Sequence, residues 1–195
     1  MKTVFLTIFV FLSLARVSAQ YSFTLSYGFD KIDIGHKHSV NWTIDKAATL
    51  YMAGNYRFKH FNAGAILIIG KSYLNRPKYV YEQTYTLLGL SISKDFKIKN
   101  KLCFNLQLSP YARVFDTEFY SASMIVDSYN LGLRFDANLR YPISKKTSIT
   151  VGYAIDKDLY RTAINSDEIT NYDRFINMLV HSFKLGLHFK FGERF

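Results

Sequence analysis

The sequence predicts an all-β protein, an eight-stranded antiparallel up-and-down β-barrel that spans a membrane. Three observations predict it. Apolar residues recur at every second position in segment after segment, the period that sends successive side chains to opposite faces of a strand. The apolar faces persist for about 10–15 residues, against roughly 5–6 in soluble strands and the roughly 9–11 tilted residues that cross a bilayer. Aromatic residues are abundant, with 17 Phe and 15 Tyr in 195 residues, and tyrosines sit at the ends of an alternating face, where a membrane interface favours them.

The chain begins with the features of a secretory signal peptide: Met1-Lys2, the apolar run Val4–Leu12, and the small residues Val17-Ser18-Ala19 before Gln20. Residues 1–19 are expected to be cleaved, leaving 20–195 as the barrel domain. One cysteine excludes an internal disulfide framework and a Cys-rich zinc site. The longest apolar run thereafter, Ala63–Gly70, has eight residues, too few for a helical span.

The first strand is read from Tyr21, Phe23, Leu25, Tyr27 and Phe29, which oppose Ser22, Thr24, Ser26 and Gly28. Weaker strands fit 48–58, 62–74 and 84–95. In the last of these Thr86, Leu88, Leu90 and Ile92 share a face, whereas 62–74 is apolar on both faces and its outward side stays unassigned. Leu102, Phe104, Leu106, Leu108, Pro110, Ala112 and Val114 then oppose Cys103, Asn105, Gln107, Ser109, Tyr111 and Arg113.

Tyr129–Tyr141 is the most regular segment: Leu131, Leu133, Phe135, Ala137 and Leu139 lie on one face, and Gly132, Arg134, Asp136, Asn138 and Arg140 on the other. Ile149, Val151, Tyr153 and Ile155 oppose Thr150, Gly152, Ala154 and Asp156. The eighth strand runs from Leu179 to the terminus. Connections alternate between short turns (59–62, 95–100, 142–146) and long polar loops (30–46, 75–83, 116–127, 156–177). The short-turn end is basic and the long loops hold most of the acids.

Such alternation fits a soluble barrel with its apolar face inside or a membrane barrel with that face in lipid. Strand length, terminal tyrosines and a face mixing small residues with charges favour lipid. Lipid offers no hydrogen-bond partner, so the strands must close. The polar interior is then expected to hold Arg57, Arg113, Arg134, Asp136, Arg140, Lys184 and Lys190. A packed, hydrogen-bonded plug suits an eight-strand lumen better than an anion path.

On these residues the chain resembles the small eight-stranded outer-membrane barrels of OmpA/OmpX type, from Gln20 to Phe195. The most specific match is the last strand, with Leu187, Phe189 and Phe191 alternating toward Phe195. Glu193 departs from that pattern. The resemblance implies a bacterial outer membrane, short turns in the periplasm, long loops outside, and a C-terminal strand read by the barrel-assembly machinery. Outer-membrane lipid is the other implied partner.

His36, His38 and Ser39 in the first loop and His181-Ser182 on the last strand are the only candidates for a lipid A deacylase-like enzyme, and no acid can be set beside them. No cofactor, metal site or catalytic residue is assigned, since two neighbouring histidines lack a third ligand. The net charge of +10 lies at turns and in the lumen, not in the single patch that nucleic acid needs. The expected working surface is the loops, which rigid scaffolds use for binding. Tyr160, Arg161, Tyr172 and Arg174 of the longest loop are the candidate contacts for an extracellular ligand or protein.

Overall fold

The computed structural model describes residues 20–34, 43–76, 79–98, 101–119, 124–164 and 178–192. Its strands are β1 (Gln20–Ile34), β2 (Thr43–Arg57), β3 (Asn62–Arg76), β4 (Tyr79–Lys97), β5 (Cys103–Phe119), β6 (Met124–Pro142), β7 (Thr147–Ile164) and β8 (Met178–Phe191). Each pairs antiparallel with its chain neighbours, and β1 pairs with β8, closing the barrel. Closure gives the sheet no outer edge strand, which is the condition for a sheet in hydrocarbon.

The period-two pattern sorts onto the two faces of the wall. Leu131, Leu133 and Phe135 face outward and are exposed, while Arg134 and Asp136, which alternate with them, are buried inside. Leu88, Leu90 and Ile92 of β4 are likewise outward, each more than 60% exposed. An apolar exterior of this extent would be untenable in water. The twelve steps from Tyr129 to Tyr141 on β6 cover about 40 Å along the strand, or about 30 Å along the axis at a tilt of about 40°. That matches the hydrocarbon thickness of a bilayer.

The segment that sequence left unassigned is settled by the register. On β3 the even positions face in, so Ile66 and Ile68 are buried in the lumen and Ile69 is exposed on the wall. With Leu87 of β4 they form an apolar side to the interior.

Two expected long loops are not loops. β3 and β4 stay paired to Arg76↔Tyr79, and β5 and β6 to Phe119↔Met124. The connections shrink to residues 77–78 and 120–123, because the aromatic and β-branched residues flanking them, such as Tyr79, Val80 and Tyr81, favour strand. The hairpins therefore extend beyond the span that the bilayer requires. β7 also runs past Asp156 to Ile164. It carries a bulge where Leu131 pairs with Tyr160 but Gly132 pairs with Asp158, leaving Leu159 as the extra residue. The bulge inverts the inward-outward order, so Leu159 and Tyr160 are both exposed.

At the opposite end the turns are short, closed by hydrogen bonds such as Phe58 N to Phe61 O at 2.8 Å and Ile98 N to Leu102 O at 2.8 Å. Lys101 in the second of these turns has φ 77°.

Candidate functional site: the lumen network and the two rims

The lumen is built from side chains that alternate with the lipid-facing ones. Its centre is a chain of opposite charges contributed by β5 to β8. Asp158 lies 3.4 Å from Arg113 Nη1, and Arg113 Nη2 donates to Asp156. Arg134 bridges Asp156 and Asp136, through Nη1 at 2.6 Å and Nε at 3.0 Å. Lys184 donates to Asp136 from the far side. Three cations thus meet three carboxylates, and none of the six exposes more than 2% of its surface. Single buried charges would be costly, and a neutral, hydrogen-bonded chain is how a narrow lumen can hold them.

Tyrosines frame this chain. Tyr111 Oη donates to Asp158 at 2.5 Å and Asn130 Nδ2 to the same carboxylate at 2.6 Å. Tyr85 donates to Asp30. The Tyr51 ring lies under Lys184 Nζ at 4.0 Å, and Gln107 donates to its hydroxyl at 3.0 Å. The Arg113 guanidinium stands 4.8 Å from the Tyr111 ring and 5.3 Å from that of Tyr85. Two glycines make room for these rings. Gly132 pairs with Tyr111 and Gly70 with Tyr85. A Cβ on Gly132 would fall 2.5 Å from Tyr111 Cζ, and one on Gly70 would fall 2.6 Å from Tyr85 Oη.

Of the residues the sequence assigned to this network, Arg113, Arg134, Asp136 and Lys184 come together in it. Arg140 is buried nearer the turn end, 3.0 Å from Asp95, which also accepts from Asn105 at 2.7 Å. Arg57 and Lys190 do not join. Arg57 is exposed, and both line an open cleft at the turn-end mouth with Asp95, His188 and Asn62. Their inward parity is right, but at the last rungs of the wall a long side chain reaches water.

Asp156, Asp158, Tyr51, Tyr85 and Asp30 were missed. The alternation of 149–156 already put Asp156 on the inner face, and extending it by two residues would have found Asp158. A tyrosine inside looks no different from a girdle tyrosine until the register is known.

At the loop end, Tyr160 and Arg161 belong to β7, with Tyr160 exposed on the outer wall. Tyr172, Arg174 and Phe195 lie outside the described residues, as do residues 1–19 and His36, His38 and Ser39. Of the assembly-signal residues, Leu187, Phe189 and Phe191 share the outer face of β8. The His181-Ser182 pair cannot work as a dyad, because neighbours on a strand point apart. His181 lies on the outer wall with Nδ1 2.5 Å from Tyr153 Oη, whereas Ser182 is buried in the lumen. Among the described residues no group of three or more His, Cys, Asp or Glu is placed to hold a metal.

A closed eight-strand barrel with a lipid-compatible exterior and a packed polar interior defines a small transmembrane β-barrel. Its fold is that of the bacterial outer-membrane barrels. The chain is similar to Neisserial surface protein A, with a TM-score of 0.62 and 12% identity over 88% of this chain and 97% of that one. It is similar also to Ail, the attachment invasion locus protein of Yersinia pestis, with TM-score 0.51 and 12% identity over 89% and 99%. A third is the outer membrane protein OprG of Pseudomonas aeruginosa, with TM-score 0.56 and 12% identity over 90% and 97%. No family model and no curated protein matches the sequence. The bacterial outer membrane expected from the sequence agrees with this fold and with the apolar wall.

Proposed function

We propose that this outer-membrane barrel is non-enzymatic and serves a structural or surface-interaction role at its loop end. One observation carries the reading: the lumen is filled. The neutral chain from Asp158 to Lys184 occupies one side, and Ile66, Ile68 and Leu87 occupy the other. Solutes have no evident route through such packing, which leaves the rims and the wall as the surfaces open to partners. The extended hairpins carry their ends away from the bilayer, where a rigid support favours binding.

The outward row Leu187, Phe189 and Phe191 on β8 supports recognition of that strand by the barrel-assembly machinery before the barrel closes. Outer-membrane lipid is the partner the apolar wall calls for.

Planar-bilayer recording of the refolded protein tests the central point. Conductance indistinguishable from the protein-free bilayer is expected, and stepwise ionic currents would overturn a sealed lumen. The surface role is tested by replacing residues 165–177 with a short Gly-Ser connection in cells. Adherence to protein-coated or glycan-coated surfaces should fall while heat-modifiable gel mobility persists. Equal adherence would remove the loop reading.

A further inference from the structure

On the loop-side half of the outer wall two lysines and a histidine stand on three adjacent strands. Lys31 of β1 pairs in register with His181 of β8, which pairs with Ile155 of β7. Lys157, two residues further along β7, is exposed on the same face. Lys31 and His181 line an open cavity with Phe29, Asp30, Tyr153 and Phe183, and Lys157 stands one rung beyond it toward the loop end. Asp30 turns its carboxylate inward, accepting from Tyr85 and Thr49, so the wall side of the cavity is cationic and aromatic. The Tyr153 hydroxyl lies 2.5 Å from His181 Nδ1. If it donates there, the ring hydrogen sits on Nε2.

The height of this cluster gives it meaning. His181 is ten residues along β8 from Phe191 at the strand's turn end, about 25 Å along the axis at a rise of about 3.3 Å and a tilt of about 40°. Against a core of about 30 Å, that puts the cluster in the loop-side half of the wall, below the headgroups. A lysine at mid-depth would face acyl chains at high cost, but from this level its long side chain can extend its ammonium to the phosphate layer.

We propose that Lys31, Lys157 and His181 form a docking site for the phosphate headgroup of a lipid in the loop-side leaflet. Its acyl chain would lie along Phe29, Phe183 and the aliphatic wall below, Leu185 and Leu25, both exposed. Charge complementarity selects the phosphate, and continuity of the cavity with the lipid-facing wall selects an amphiphile over a free ion. This site is independent of any partner of the loops.

Native mass spectrometry of the folded barrel in neutral detergent, titrated with lysophosphatidic acid and lysophosphatidylcholine, tests it. Lysophosphatidic acid should be retained in preference. Its apparent affinity should fall about fivefold in each of Lys31→Gln and Lys157→Gln, the weight of about one interfacial cation, and further in the double variant and in His181→Gln. Lys94→Gln, on the outer wall at the turn end, should change nothing. Heat-modifiable mobility verifies that each variant is folded, and Phe183→Ala probes the chain-binding wall without altering charge. Equal retention by wild type and the double variant would overturn the site, as would displacement of the lipid by inorganic phosphate at equal concentration.

Discussion

The two sides of the lumen solve the same packing problem in opposite ways. β5 to β8 fill their side with alternating charges, Arg113, Asp156, Arg134, Asp136 and Lys184. β2 to β4 fill theirs with Ala53, Ile66, Ile68 and Leu87. Tyr51 stands between them, its ring against Lys184 and Arg134 and its position on β2 within the apolar cluster. The charged side is specific, because each carboxylate must meet its cation. The apolar side asks only for volume.

The largest effect that can break this comparison is expected on the charged side. Arg134→Met removes the group that joins Asp156 to Asp136, leaving each with one cation, Arg113 and Lys184 respectively. Breaking a buried ion network by deleting one partner costs about 3–5 kcal/mol. The urea midpoint of the folded barrel in detergent, followed by gel mobility, should fall accordingly. A loss below about 1 kcal/mol, the worth of an exposed pair, would mean that the lumen is hydrated and the network screened.

The apolar side should respond to volume instead. Ile68→Val deletes one methylene from a site 2% exposed and should cost about 0.5–1.5 kcal/mol, without sensitivity to salt. A cost matching that of Arg134→Met would indicate that the two sides are one rigid unit. A cost near zero would indicate a loosely filled interior.

The same contrast explains what the sequence could reveal. Where the inside is charged, period two is unambiguous. Arg134 and Asp136, alternating with Leu133, Phe135 and Ala137, point to both the fold class and the outward face of β6. Where the inside is apolar, as at Ile66 and Ile68 of β3, both faces read alike and only the register with β4 decides. Strand ends were misjudged for a related reason. Polar residues such as Asp156 and Asp158 resemble a loop when read in line, but in a barrel the lumen is a second place for them. The bulge at Leu159 is invisible to alternation, because one added residue inverts the pattern without a composition signal. Arg57 and Lys190 show the limit of parity itself, which gives the face of the wall but not the depth along it.

Depth is what the smallest prediction isolates. Arg140 and Asp95 make an ion pair at 3.0 Å that resembles the central ones in length, yet the Asp95 side chain is 26% exposed at the turn-end mouth. Water there screens the charges, and Asn at 95 would keep an oxygen able to accept from Asn105, which donates to Asp95 at 2.7 Å. Asp95→Asn should therefore cost about 0–1 kcal/mol, the range of exposed pairs, and the difference from wild type should shrink as salt is raised. Comparing the urea midpoints of both proteins at low and high salt measures this. A loss as large and as salt-insensitive as that of Arg134→Met would place Asp95 within the dry network and extend the seal to the mouth of the barrel.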